Sequence, residues 1–199
     1  MRIFPLLFIF SIISAQWSSE SAHLLEKNRK EIGLLSPYKM ALNNGSEIGV
    51  NKFLLMPSIY VKQEMSMYNS WKMARKFRTE YPTPGLKWIQ SPLGKEMGDP
   101  NMFSLISSQF SIPQMLSFHV ELIGTKGDLE SGQLSLNSGV GVALNGKKLS
   151  NDATIDLPVI YPRLSVYYND FIIKTGGEYA RHLRSRWNYI IDYEMYLMP

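Results

Sequence analysis

From residue 50 onward the chain is dominated by an apolar/polar alternation with a period of two. Trp187 to Leu197 is one such run. Trp187, Tyr189, Ile191, Tyr193, Met195 and Leu197 hold its odd positions, and Asn188, Asp192 and Glu194 lie among its even ones. Successive strand side chains point to opposite faces, so this segment predicts a strand that is apolar on one side and polar on the other. Leu134, Leu136, Val140, Val142 and Leu144 alternate in the same way with Gln133, Ser135, Asn137, Gly139, Gly141, Ala143 and Asn145. That second face is polar or tiny, which suits a water-filled or tightly packed lumen better than a second apolar layer. Leu116 to Ile123 sets Leu116, Phe118, Val120 and Leu122 against His119 and Glu121. Phe171 to Arg181 sets Phe171, Ile173 and Tyr179 against Lys174, Glu178 and His182.

Three further segments read as strands with interruptions. Trp71 to Tyr81 places Trp71, Met73, Phe77 and Tyr81 opposite Lys72, Lys76, Arg78 and Glu80, with Arg75 breaking the apolar side. Its charged face reads as turned to water, and the four-residue spacing of Met73 and Phe77 also allows a helix. Val50 to Gln63 carries Pro57, and Leu157 to Tyr168 carries Pro158 and Pro162, which restrict where full pairing can begin. Asn169-Asp170 has the residue types of a two-residue hairpin turn. Pro82-Thr83-Pro84-Gly85 stops a strand, and the Gly-, Pro-, Ser- and Asn-rich stretch to Pro113 reads as a long excursion. The sum is an all-β antiparallel meander of about seven strands in one domain.

The first 15 residues have a different character. Arg2 precedes an apolar run from Ile3 to Ile13, and Ser14-Ala15 are small, so residues 1–15 read as a secretory signal peptide cut after Ala15. An uncleaved anchor is the alternative, although the run is shorter than the ~18 to 20 residues of a spanning helix. Residues 16–48 form a polar N-terminal segment, and 49–199 the β domain. The absence of cysteine among 199 residues excludes a disulfide scaffold and a thiolate metal site. A net charge of +4 comes from scattered lysines and arginines, without the clustered basic footprint of a nucleic-acid binder. There is no phosphate-cradling glycine loop, nucleophile elbow or zinc-type histidine spacing, so no catalytic residue, metal ligand or cofactor is assigned. His119 beside Glu121 reads as a structural pair and not as an acid–base couple.

Gly176-Gly177-Glu178-Tyr179-Ala180, the turn through Leu183-Arg184-Ser185-Arg186, and Trp187-Asn188-Tyr189 with Asp192-Tyr193-Glu194 resemble the down-strand, periplasmic turn and up-strand of bacterial outer-membrane β-barrel proteins. Tyr81-Pro82-Thr83-Pro84, Met115-Leu116-Ser117-Phe118 and the run from Ile155 through Asp156-Leu157-Pro158-Val159-Ile160-Tyr161-Pro162 to Arg163 are similar to barrels of marine and Bacteroidetes-like bacteria. The resemblance implies a transmembrane β-barrel, porin-like or structural, in the outer membrane of a Gram-negative bacterium. Its partners would be outer-membrane lipid and the barrel-insertion machinery, with no nucleic acid.

On that reading Leu134, Leu136, Val140, Val142, Leu144, Phe171, Ile173, Tyr179, Trp187, Tyr189, Ile191 and Tyr193 face lipid. His119, Glu121, Lys174, Glu178, Asp192 and Glu194 face the lumen. Such barrels have an even strand number and end on an aromatic residue, whereas this chain closes on Tyr196-Leu197-Met198-Pro199, so either one more strand than the seven or, by preference, an N-terminal fragment of a longer barrel is expected. The competing expectation is a secreted soluble β-sandwich or lipocalin-like binding module, with Trp187, Tyr189 and Tyr193 buried in protein.

Overall fold

The computed structural model describes residues 20–32, 37–51, 57–88, 111–144, 161–184 and 187–197, with the backbone alone at 88, 161–163, 184, 187 and 188. The expected signal peptide and most of the excursion before Pro113 lie outside the described residues. Nine strands occur among these residues: β1 Lys30–Glu31, β2 Tyr38–Leu42, β3 Ser46–Asn51, β4 Ser58–Tyr68, β5 Trp71–Glu80, β6 Ser117–Asp128, β7 Gly132–Ala143, β8 Phe171–Arg184 and β9 Trp187–Leu197. They form one sheet in sequence order, each antiparallel to the next. The all-β antiparallel meander is as the alternation predicts. Closure is not, because no ladder joins β9 to β1 among the described residues and the sheet keeps two edges.

Six of the seven expected strands are present, and the sheet begins earlier than expected. A boundary at residue 49 would cut through β3, and β1 to β3 lie in the stretch read as a polar leader. These strands are short and rich in polar residues, so they leave little periodicity to read. Leu157 to Tyr168 is corrected outright. Its described part is the helix α2, Tyr161–Asn169, in which Leu164, Ser165, Val166 and Tyr167 are all buried. A segment covered on every side shows neither a helical nor a strand period, and Pro162 sits in the first turn, where its missing N–H costs nothing. Asp170, with φ 66°, ends this helix in the left-handed conformation and is not the tip of a hairpin. A second, shorter helix, α1, spans Thr83–Trp88.

The connections are unequal at the two ends of the sheet. Residues 43–45, 69–70 and 129–131 make tight turns at one end, where β8 also passes to β9, whereas the passages from β3 to β4, β5 to β6 and β7 to β8 lie at the other. At Asn69 and Ser70 both φ values are positive, 46° and 66°. That is the primed hairpin geometry, which follows the natural twist of the strands. In the 129–131 turn, Asp128 Oδ1 accepts from the amides of Glu130 (3.0 Å) and Ser131 (2.7 Å).

Register sorts the strands into two faces. Along one row Lys62, Lys76, Glu121, Gly139, Lys174 and Tyr196 lie side by side, and along the next Tyr60, Arg78, His119, Gly141 and Ile172. This face is enclosed. The other carries Phe77, Val120, Val140, Ile173 and Leu197 in one row and Met73, Leu136 and Tyr193 in another, and it is largely exposed. Polarity is therefore inverted relative to a water-soluble sandwich: Val140 is 47% and Ile191 65% exposed, while Glu121 is 2% and Lys76 5%. The main apolar cluster sits at the end with the long connections, where α1 and α2 fold over the sheet and bring Leu86, Ile112, Met115, Leu164, Val166, Tyr167 and Ile172 together.

Candidate functional site: an enclosed charged interior

A buried, unpaired charge costs several kcal/mol, so an interior such as this one is possible only if its members neutralise each other. Toward the N-terminal strands Glu47 accepts from the Tyr60 hydroxyl (2.8 Å) and pairs with Lys62 at 3.5 Å. In the centre Arg78 lies 3.2 Å from Glu80 and 3.1 Å from Glu121, and Lys76 lies 4.0 Å from Glu121. On β8 and β9 Lys174 meets Glu194 at 2.6 Å. The Lys76 ammonium also stands 4.9 Å from the centre of the Tyr60 ring.

The chain's own N-terminal segment completes this network. Glu20 receives two hydrogen bonds from Lys76, at 2.7 and 2.9 Å, and its amide donates to Glu178 at 3.0 Å. β5 and β8 have two strands between them, so one residue links separated parts of the enclosed face. The Ala22 amide donates to Thr125 Oγ1 (2.8 Å) and the Leu25 amide to Glu47 (3.1 Å). Lys62 Nζ donates to the carbonyls of Ser21 (3.3 Å) and His23 (2.8 Å). Burial alone would raise the Glu20 carboxyl, but Lys76, Lys174 and Arg78 outweigh it and hold the group ionised well below its ordinary range. The methyl of Ala22 is fully covered, in a cluster with Ala74 and Ile123.

The set closest to a catalytic constellation joins Ser117, His119, Glu80 and Tyr167. The Tyr167 hydroxyl donates to Ser117 Oγ at 2.9 Å, Ser117 Oγ bonds His119 Nε2 at 2.9 Å, and Glu80 lies 3.6 Å from that same nitrogen. In a nucleophile–base–acid relay the carboxylate holds the opposite nitrogen of the ring. Here both partners crowd Nε2, and Ser117 is completely covered. The chain of hydrogen bonds ties α2 to the sheet. Burial keeps the Tyr167 phenol protonated to a higher pH than a free tyrosine.

His119, Glu121, Lys174 and Glu178 are buried on one face of the sheet. Glu194 reaches that face through Lys174, and Asp192 shares the face on the edge strand but is exposed. The residues read as the apolar side all register on the outer face. Leu134, Leu136, Val140, Val142, Phe171, Ile173, Ile191 and Tyr193 are exposed there, as is Leu144 just beyond β7. Tyr179 and Tyr189 are half-covered, with ring centres 5.9 Å apart. Trp187 pairs with Arg184, and its side chain lies outside the described residues. Among the described residues no group of His, Asp and Glu could hold a metal ion.

The charged face of β5 needs correction, since Lys76 and Glu80 are buried and not turned to water. Glu20 and Glu47 carry no signal in the sequence pattern. The usable signal lies in β5, where Lys72, Lys76, Arg78 and Glu80 share one face of a long strand whose other face carries Trp71, Met73 and Phe77.

Fold and site together define an all-β meander with an exposed apolar outside and an ion-paired interior. No protein-family model matches the chain, and no curated protein or solved structure shows significant similarity to it.

Proposed function

We propose that the protein is an outer-membrane β-barrel, porin-like or structural, held in lipid by its outer face and enclosing a charged lumen. The inverted polarity of the sheet carries this reading. A soluble fold hides apolar side chains from water, and only a non-aqueous surround makes an exposed row such as Val120, Val140, Ile173 and Leu197 favourable.

Three observations support the reading. Strands β4 to β9 are 10 to 14 residues long, against the ~9 to 11 that a tilted transmembrane strand needs. Tight turns at one end and long connections at the other follow the periplasmic and extracellular ends of such barrels. Trp71, Tyr179 and Tyr189 lie on the outer face near the tight turns, where an interfacial aromatic belt belongs. One outward charge in the middle of the band, Arg75, is bonded to Gln63 at 2.9 Å and lies over the Phe77 ring. On this reading β9 does not keep a bare edge in hydrocarbon. It is paired either with the β1 side of the sheet or with further strands, since unpaired backbone groups are not tolerated there.

The reading assigns no catalysis or cofactor, and names lipid and the insertion machinery as partners. Cell fractionation tests it: the protein should co-sediment with outer membranes and migrate faster on a gel unheated than boiled. Recovery as a soluble periplasmic monomer would instead favour the binding-module reading.

A further inference from the structure

We propose that the enclosed face is a binding cradle for an extended acidic peptide, occupied here by the chain's own residues Glu20 to Leu25 as an exchangeable plug. The inference rests on the barrel reading and deepens it by naming what the lumen recognises.

The contacts define the ligand class. Five of the groups bonded by the sheet are main-chain atoms: the amides of Glu20, Ala22 and Leu25 and the carbonyls of Ser21 and His23. Their partners, Glu178, Thr125, Glu47 and Lys62, come from four strands. Such contacts read an extended backbone and are indifferent to most side chains. Sequence enters where side chains are covered, most plainly at two places. Lys76 takes a carboxylate at the position of Glu20, and the covered site against Ala74 and Ile123 takes a methyl two residues later.

The segment is also held differently from the strands. It makes these side-chain contacts and belongs to no ladder until Lys30. Its departure would leave Lys62, Lys76, Glu47, Glu178 and Thr125 without partners they now have, and a second peptide of the same pattern could restore them. Buried groups so exposed either take up water or take up such a ligand.

The chain contains no cysteine, so a single introduced thiol reports on the plug. In the full-length protein refolded in detergent, the thiol of an Ala22→Cys variant should be protected from a pyridyl disulfide reagent. Adding Glu20→Lys, which sets a cation against Lys76, should remove that protection. Equal protection with and without Glu20→Lys would overturn the exchangeable plug, and so would a thiol that labels freely in the parent.

In a second measurement, the chain lacking residues 16–25 should bind a fluorescent peptide of the sequence Ser18 to Lys27 saturably. The same peptide carrying Glu20→Lys should not bind. Absence of binding by a shortened chain that still shows the heat-dependent gel shift overturns the inference and leaves the barrel reading intact. If the shortened chain does not refold, the thiol result decides. Loss of the gel shift in the full-length protein would overturn both.

Discussion

Gly141 shows how closely the interior is fitted. A Cβ built on it would fall on the His119 ring, and one on Gly139 would come within 2.7 Å of the Glu121 side chain. These two glycines lie on β7 directly beside the residues they accommodate. Their smallness lets two polar side chains lie flat against the sheet, where the ion pairs form. Substituting Gly141→Val should therefore destabilise the protein by ~1 to 3 kcal/mol, as overpacking of a filled interior does. Ser138→Val, on the outer face of the same strand, should shift stability by no more than about 0.5 kcal/mol. Urea midpoints of the refolded variants compare the two. The sequence marks Gly139 and Gly141 as members of a tiny-residue face, but not what fills the space, since that depends on β6 lying alongside. Glu20 was illegible for a related reason. A single acidic residue in a polar leader has no periodicity, and its partners, Lys76 and Glu178, are 56 and 158 residues away.

At the level of the element, legibility follows exposure. Strands β5 to β8 each have one enclosed and one outer face, and the edge strand β9 keeps the same register, so the period of two survives in their sequences. In helix α2 the turn from Leu164 to Tyr167 is buried on every side, so its sequence carries no period that separates helix from strand. Strands β2 and β3 are too short to show a pattern, and their charged members, Lys39 and Glu47, look like the surface residues they are not. The same contrast of faces yields a test within one strand. Leu136→Arg, on the outer face midway along β7, should cost ~2 to 4 kcal/mol if that face meets the middle of a bilayer. Leu144→Arg, at the end of the strand, should cost only ~0 to 1 kcal/mol, as at an interface. Unfolding of the two variants in lipid vesicles gives the comparison. Equal penalties would mean that the outer face does not cross a graded hydrocarbon layer.

At the level of the whole molecule, the meander and its faces were readable from alternation alone. The strand total and the two sheet edges were not, because pairing partners and closure are not written in a local period. The asymmetry of the two ends supplies a topological test. An epitope tag inserted in the 144–170 connection should be reached by antibody on intact cells, while the same tag in the 129–131 turn should be reached only after the outer membrane is permeabilised. The reverse pattern would place the tight turns outside and invert the orientation.

The spacing of those connections also bears on how the chain assembles. In a meander each strand finds its partner next to it in sequence, and six of the eight ladders close over connections of six residues or fewer, at little entropic cost. Two joins differ: β5 to β6 across residues 81–116, and β7 to β8 across 144–170. Loop-closure cost grows with length, so the sheet divides kinetically into three blocks, β1 to β5, β6 with β7, and β8 with β9. Each block can zip locally, and the two joins between them are the steps at which assembly waits.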